Sequence, residues 1–228
     1  MVFITGDIHG EYEINRLSSQ NLRRLNLVIA NDFLIVCGDF GLVWAGDRKE
    51  KYWLNWLEKK PFHTLFVDGN HENFSLLNAY PIEEWNRGHA HVVRKNIFHL
   101  MRGNIFQIDG KRYFVFGGAF SFDIEYRVEG ESWWKEELPS AQEMEEGFSR
   151  LDSANWEVDF IITHTAPTSV VAKLFTNKEA EKRIDQVSEY LEKIYQKVRF
   201  SKWFFGHFHK DAEINNAFTS LYRQIIRI

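Results

Sequence analysis

The sequence has few of the features that mark secreted or membrane-spanning proteins. Cys37 is the only cysteine among 228 residues, which excludes an internal disulfide. Its place in the apolar stretch FLIVCGD predicts a small buried hydrophobe. No apolar run reaches the length of a membrane span, and the N-terminal MVFITGDIHG enters a predicted strand without a charged-then-apolar leader. We therefore expect a soluble, cytoplasmic protein with no membrane partner.

An excess of charge of one sign is also lacking. The formal net charge is −4, and Lys and Arg are scattered among Asp and Glu. We therefore expect no broad basic surface for duplex nucleic acid or an anionic membrane, although a local basic pocket stays open. A chain that is 44% hydrophobic and 16% aromatic can fill one sizeable core. We expect a single domain over residues 1–228, with the oligomeric state left open.

Short, continuous apolar runs predict the strands. Continuous Val, Ile and Phe runs are typical of strands that are covered on both faces. They occur at 2–5, 33–37, 64–68, 159–163 and 202–206. Helical spacing at 49–59 and 188–198 lies between or beside them, which indicates an α/β protein.

Two further stretches are predicted to form strands, although they are not continuous apolar runs. Residues 97–117 alternate in polarity and contain an IDGK turn, whose Asp-Gly pair favours a tight hairpin. We expect them to form a second, more antiparallel sheet. The closing FTSLYRQIIRI is interpreted as a last pair of strand segments.

Residues 121–139 show no clear periodicity and follow the Gly117-Gly118 pair directly. We interpret this segment as an irregular loop or a partial lid. Its adjacent Trp133 and Trp134 are expected to plug the core beneath the loop, because bulky aromatic side chains anchor irregular segments by burial.

Polar motifs follow five of the predicted strands. They are GDIHG (6–10), GDFG (38–41), GNHE (69–72), THTAP (163–167) and GHFHK (206–210). Each alone is readily explained as a turn, but the carboxyl ends of strands in an open α/β sheet converge on one crevice. Five such motifs, each placed after a predicted strand, together predict a shared site. The oxygen and nitrogen donors that it would collect are Asp7, His9, Asp39, Asn70, His164, His207 and His209.

These donors suit divalent transition-metal ions. Carboxylate, amide and imidazole groups bind Mn²⁺, Fe, Zn²⁺, Ni²⁺ or Co²⁺, and we place manganese first. Seven donors are too many for one ion, so we expect two ions roughly 3.5–4 Å apart, bridged by one Asp. Two divalent ions against two carboxylates leave positive charge, which attracts phosphate and lowers the pKa of a bound water towards neutrality. The pattern therefore predicts phosphoester hydrolysis without a protein nucleophile.

The order D-x-H, G-D, G-N-H-[DE], H and G-H-x-H resembles the calcineurin-like metallophosphoesterases. The resemblance implies a two-layer mixed β-sandwich flanked by helices, with metals at the strand ends. It also implies roles: Asp7, His9 and His209 on the first metal, Asn70, His164 and His207 on the second, and Asp39 as the bridge. His71 would be the catalytic residue, facing the substrate without binding metal.

The remaining candidate residues are expected to be structural. His63, His89, His91 and His99 lack partners at ligand spacing, so we expect surface positions or satisfied positions in the core. Glu72 is expected to support the turn or the outer part of the site.

The chain departs from two subfamilies that share GDIHG, the Ser/Thr protein phosphatases and the dinucleoside tetraphosphatases. Their second motif continues with V-D-R-G, whereas this chain has GDFGLVWAG, and Asp68 stands where they have an arginine before G-N-H-E. A replacement for these phosphate-binding arginines must come from elsewhere. Arg127 is the candidate, because a guanidinium fits phosphate bidentately. The alternative is a surface Arg127 paired with a neighbouring Glu.

A phosphatase or phosphodiesterase acting on a small molecule or nucleotide is the function that we expect. Other phosphatase chemistries are set aside, because Val43 stands six residues after Cys37, where an Arg would be needed, and no D-x-D pair follows the first strand. A nuclease acting on short oligomers is the alternative, although no basic stripe marks a polynucleotide track. A non-catalytic metal-binding scaffold is a further alternative, against which the retention of all seven donors and His71 argues.

Overall fold

A computed structural model describes residues 1–24 and 32–228. The strands are β1 (Val2–Thr5), β2 (Phe33–Val36), β3 (His63–Phe66), β4 (Ile82–Trp85), β5 (Gly88–Arg94), β6 (Ile97–Leu100), β7 (Ile105–Ile108), β8 (Lys111–Phe116), β9 (Phe160–Thr163), β10 (Lys202–Phe205), β11 (Ala212–Asn215), β12 (Phe218–Ser220) and β13 (Ile225–Arg227). The helices are α1 (Ser19–Arg24), α2 (Arg48–Glu58), α3 (Phe74–Leu77), α4 (Ala141–Ser153), α5 (Thr168–Leu174), α6 (Asn177–Glu181) and α7 (Gln186–Tyr195). Short 3₁₀ turns span Gly10–Tyr12, Ile14–Leu17, Ile124–Tyr126 and Lys135–Glu137.

The strands form two mixed sheets. The first has the order β13-β1-β2-β3-β6-β5-β4, and the second has the order β11-β12-β10-β9-β8-β7. Strands β1, β2, β3 and β6 run parallel, as do β8, β9, β10 and β12. The antiparallel pairs lie towards the sheet edges. The predicted α/β class and two-layer mixed sandwich flanked by helices are confirmed.

Alternate residues of each strand face opposite sides of its sheet, as the pleat of a strand requires. One set fills the layer between the sheets, where Ile4, Ile35 and Leu65 of the first sheet lie in one buried cluster with Val115 and Ile162 of the second. Cys37 belongs to this cluster and is fully buried, as expected of a small hydrophobe. Burial also raises the pKa of its thiol.

The other set of side chains packs against helices. Phe3, Leu34 and Phe66 share a cluster with Leu54 and Leu57 of α2. On the far side, the second sheet packs against α4, α5 and α7 through a cluster that includes Phe116, Ile161, Leu151, Val171 and Leu191. Both faces of each sheet are therefore covered, which explains the continuous apolar runs of the central strands.

One of the strand predictions needs correction. Residues 97–117 do not form one antiparallel sheet, because β6 pairs parallel with β3 in the first sheet and only β7 and β8 form the predicted hairpin. The hairpin turn uses Asp109 and Gly110, both with positive φ, as an Asp-Gly turn favours. The second sheet is mixed rather than mainly antiparallel. The closing stretch forms the predicted pair of strand segments, with β12 in the second sheet and β13 in the first.

Parallel pairing brings the carboxyl ends of five strands to the same end of the sandwich. β1, β2 and β3 end there in the first sheet, and β9 and β10 end there in the second. The five polar motifs follow these strands directly. In the described part of the chain, none of the helices has the length and apolar character that crossing a membrane requires.

Candidate metal centre

The first group of donors joins Asp7 and His9 after β1 to His209 after β10. His9 Nε2 lies 2.9 Å from His209 Nε2, and His209 Nε2 lies 3.1 Å from Asp7 Oδ2. Together with Asp39, these residues each offer a ligand atom within 4.8 Å of the others. Residues from the two ends of the chain thus meet at one point of the crevice.

The second group is built around His164, which follows β9. Its Nε2 lies 3.1 Å from Asn70 Oδ1, and its ring lies against that of His207 with centroids 4.9 Å apart. Its Nδ1 faces the Cys37 carbonyl at 2.8 Å and so carries the proton. The tautomer with a free lone pair on Nε2 is thereby selected.

Asp39 lies between the two groups. Its Oδ1 is 3.3 Å from His164 Nε2, whereas its Oδ2 is 3.8 Å from His9 Nε2. The His71 backbone N–H donates to Oδ1 at 2.9 Å, which fixes the carboxylate. Each oxygen of one buried side chain therefore faces a different donor group.

The backbone around these donors is held in uncommon conformations. His9, Asp39, His207 and His209 all have left-handed φ values between 48° and 66°. Such values are uncommon for residues other than glycine, and they cluster at functional sites, where the surrounding structure holds them in place. At Gly69, a Cβ would collide with Asp39 Oδ1, so the GNHE turn can approach this carboxylate only with glycine.

Burial and charge interactions within the crevice shift several pKa values. Burial acts to raise the pKa of Asp39, but the neighbouring imidazoles, His164 foremost, outweigh it and hold that pKa below its ordinary range. Removal from water lowers the pKa of His207 to about 3, and it also lowers the pKa of His71. The hydrogen bond with Asp7 raises the pKa of His209.

The arrangement of polar atoms fits divalent cations. Asp7 Oδ2 is buried and lies 3.1 Å from His209 Nε2 and 3.9 Å from His9 Nε2, so three possible ligand atoms face one point. His164 Nε2 and Asn70 Oδ1 are two acceptors that face each other, a contact that is favourable only with a cation or proton between them. Oxygen and imidazole donors without a thiolate match the preferences of Mn²⁺, Fe, Zn²⁺, Ni²⁺ and Co²⁺.

Sequence reasoning missed two residues behind this centre, Ser121 and Glu137. Asn70 Nδ2 donates to Ser121 Oγ at 3.1 Å, and Ser121 Oγ donates to Glu137 Oε2 at 2.9 Å. This chain of hydrogen bonds turns the Asn70 amide so that its oxygen faces His164. Burial raises the pKa of Glu137 to about 7. Neither residue belongs to a motif, and 51 residues separate Ser121 from Asn70, so no local pattern indicates the contact.

Glu72 supports the turns, as expected. Its fully buried side chain accepts a hydrogen bond from the Phe40 backbone N–H at 2.7 Å. The GNHE turn is thereby tied to the GDFG turn that carries Asp39.

The other histidines divide between core and surface. His91 and His99 are buried, with their Nδ1 atoms 2.9 Å apart, and His99 Nε2 lies 3.0 Å from Asp68. Asp68 also accepts from Arg102 at 2.9 Å, so the residue at the position of the missing arginine binds another arginine away from the centre. His89 is exposed and His63 is half-buried.

His71 and Arg127 occupy different positions relative to the donors. The His71 ring lies 5.4 Å from that of His9 and faces a cavity of about 570 Å³ beside the centre. Arg127 donates to Asp123 at 2.8 Å and to the Ser132 carbonyl at 3.2 Å. Its charge contributes to lowering the pKa of His71, although burial of the imidazole is the larger cause. Its partner within the segment is an Asp rather than the Glu considered above.

The segment 121–139 is anchored at both ends. Ser121 and Glu137 are buried, and Trp134 is a core residue whose Nε1 donates to Ser75 Oγ at 3.0 Å. The prediction that Trp134 plugs the core is confirmed, whereas Trp133 is only half-buried. Side chains in the middle of the segment, including Phe122 and Tyr126, are exposed.

A sandwich of two mixed sheets with a cluster of metal donors at the strand ends matches the architecture that the resemblance to metal-dependent phosphoesterases implies. The family model described as calcineurin-like phosphoesterase matches residues 1–211. The chain therefore belongs to the calcineurin-like phosphoesterase family, and metal-dependent phosphoesterase is the enzyme class that this membership assigns to it.

A curated relative is the lariat debranching enzyme of Schizosaccharomyces pombe. It is 28% identical over 169 residues, which cover 68% of this chain and 35% of that protein. The chain thus spans about a third of the length of this relative. The relative's name places its action on lariats.

Proposed function

We propose that this protein hydrolyses a phosphoester with the help of two divalent metal ions, acting on a small phosphoester or a nucleotide. The observation that carries the proposal is the position of Asp39, whose two oxygens face separate donor groups at 3.3 Å and 3.8 Å. One carboxylate can serve two ions in this position.

The proposed ligands follow the two donor groups. Asp7, His9 and His209 would hold one ion, Asn70, His164 and His207 the other, and Asp39 both. The close approach of the donor atoms of Asp7, His9, Asp39 and His209 supports the first set, and the facing acceptors of His164 and Asn70 support the second. When bound, the ions supply positive charge for the phosphate and activate a water for attack.

His71 is proposed as the proton donor. Its backbone is fixed by the bond to Asp39 Oδ1, while its ring faces the cavity beside the donor cluster. A leaving oxygen that enters this cavity gains negative charge as its bond to phosphorus breaks, and a nearby protonated imidazole neutralises it. The negative charge of bound phosphate opposes the effect of burial and raises the pKa of His71.

Manganese is the metal that we propose first, with Fe, Zn²⁺, Ni²⁺ and Co²⁺ as the other ions that suit the same donors. A cytoplasmic location and a single domain over residues 1–228 are part of the proposal. Fractionation of cells that express the tagged chain would test the location.

The direct test of the function is turnover of two synthetic esters. Mn²⁺-loaded protein and protein treated with a chelator would each be given bis-p-nitrophenyl phosphate and p-nitrophenyl phosphate. We expect release of nitrophenolate only from the loaded protein, restored when Mn²⁺ is added back. The ratio of the two rates would show whether diesters or monoesters are preferred. Equal rates with and without metal would overturn the proposal.

Cleavage of a phosphodiester in a lariat or a short oligonucleotide is a second candidate function. The similarity to a lariat debranching enzyme favours it, whereas the net charge of −4 disfavours a long polyanionic partner. Short branched and linear oligonucleotides would be compared with bis-p-nitrophenyl phosphate in the same assay. A higher kcat/KM for the branched oligonucleotide would support this alternative.

A further inference from the structure

A cavity beside the donor cluster is walled by aromatic side chains. The cavity has a volume of about 570 Å³ and is lined by His9, His71 and His209 on the side of the cluster. Its remaining wall includes Tyr12, Trp44, Trp53 and Tyr222. A group attached to a phosphate at the centre can extend into this cavity, because His9, His71 and His209 line it.

Trp44 is held in the wall by hydrogen bonds to its backbone and by packing of its indole. The buried carboxylate of Glu50 accepts hydrogen bonds from the backbone N–H groups of Trp44 at 2.7 Å and Ala45 at 2.8 Å. Asn73 Nδ2 donates to the Trp44 carbonyl at 2.8 Å. The indole packs edge-on against Trp134 with centroids 5.3 Å apart. A fixed aromatic face binds a planar group with little loss of conformational entropy.

The Trp44 ring lies close to the residue that is proposed to donate the proton. The Trp44 ring is 6.3 Å from His71, the proposed proton donor. Across the cavity, Tyr222 stacks on the donor His209 with centroids 4.5 Å apart and an angle of 12° between the rings. Tyr12 at the rim is 84% exposed, so its ring is available for contact with a bound group.

The charges around the cavity argue against a string of phosphates. Its lining carries four carboxylates and one ammonium group, from Glu11, Glu13, Asp47, Glu50 and Lys49. Lys49 is already paired with Glu11. A neutral, flat group with polar edges is compatible with this wall, whereas additional phosphates would be repelled.

We propose, as an inference that rests on the phosphoesterase function proposed above, that this cavity binds a nucleobase. Trp44 is its stacking partner, and the substrate is a nucleotide phosphoester whose base lies on the indole while its phosphate lies at the donor cluster. Stacking on an aromatic side chain accepts any base, because every base has a π-face. The wall therefore selects for the presence of a base rather than for its identity.

The test compares a nucleotide with the corresponding sugar phosphate, which carries a hydroxyl group in place of the base. Adenosine 5′-monophosphate and ribose 5-phosphate would each compete with p-nitrophenyl phosphate on the Mn²⁺-loaded protein. We expect the inhibition constant of the nucleotide to be about tenfold lower in the wild type. Trp44→Leu should remove most of this difference and leave the constant for ribose 5-phosphate unchanged, whereas Trp44→Phe should keep most of it.

Controls separate the possible failures. Tyr52→Leu replaces an aromatic ring that is 61% exposed and does not line the cavity, so it should preserve the tenfold difference. If the loaded wild type hydrolyses no ester, the proposed function itself fails. If the wild type is active but both phosphates inhibit equally, the base subsite is wrong. Should Trp44→Leu not fold, the wild-type comparison and the Trp44→Phe variant still decide.

Discussion

At the level of single residues, several of the proposed ligand side chains also form a hydrogen bond to a neighbouring residue. Asp39 accepts from the His71 backbone, His164 Nδ1 faces the Cys37 carbonyl, and Asn70 donates to Ser121. Such partners orient the atom that remains free and increase the affinity of a metal site. Substitutions of single residues should therefore distinguish an effect on metal binding from an effect on the catalysed reaction.

Asp39→Asn should lower turnover at least about a hundredfold, because an amide offers only one oxygen and no negative charge between two ions. Metal content measured by mass spectrometry should fall below two ions per chain. Asp109→Asn is a matched control, since Asp109 has a φ of 49° against 48° for Asp39 but lies in a hairpin turn. Two tightly bound ions and near-normal activity in Asp39→Asn would disprove the bridging role.

His71→Asn should slow alkyl phosphoesters far more than nitrophenyl esters. An alkoxide needs a proton to leave, and a positioned acid contributes roughly 10²–10⁴-fold, whereas nitrophenolate leaves with little help. The kcat values of both ester types would be measured for wild type and variant, with the exposed His89→Asn as the control. Metal content should stay unchanged. Equal losses for the two esters would remove His71 from the role of proton donor.

Ser121→Ala should weaken one metal site and leave the other intact. The variant removes the acceptor of the Asn70 amide N–H, so the amide oxygen is no longer held towards His164. Loss of an outer partner typically costs about 10–100-fold in metal affinity. Calorimetric titration with Mn²⁺ would resolve the two sites, and the exposed Ser153→Ala provides the control. An unchanged titration curve would show that Ser121 does not position Asn70.

At the scale of elements, patterns of neighbouring residues predicted the sandwich well. The strands β1, β2, β3, β9 and β10 match the predicted apolar runs to within two residues at each end. The pairing of strands that are distant in sequence was harder to predict. Residues 97–117 alternate in polarity along their whole length, as a hairpin does. The partners of β6, the parallel strand β3 and the antiparallel strand β5, show that this stretch divides between two sheets.

The aperiodic segment 121–139 is the element whose role is still a prediction. We propose that it overhangs the centre and that Arg127 exchanges its bond to Asp123 for one to substrate phosphate. Arg127→Ala should then raise KM about tenfold with little change in kcat, since a charge-assisted hydrogen bond contributes about 1.5–3 kcal/mol. Arg199→Ala, which breaks an exposed pair with Glu157, is the control. An unchanged KM would leave Arg127 as a structural residue of the segment.

At the scale of the whole molecule, the site exists because two sheets end at the same place. Asp7, Asp39 and Asn70 follow strands of the first sheet, whereas His164 and His207 follow strands of the second. The motifs predicted this set because each donor directly follows an apolar run. The Ser121–Glu137 support and the aromatic cavity were not predicted, because their residues meet only through tertiary packing.

We propose that donors from both sheets hold two metal ions, with Asp39 between them. Anomalous scattering from crystals of the Mn²⁺-loaded protein, recorded on both sides of the manganese absorption edge, tests it most directly. We expect two peaks roughly 3.5–4 Å apart, each within bonding distance of one Asp39 oxygen. A single peak, or two peaks that do not share Asp39, would contradict it.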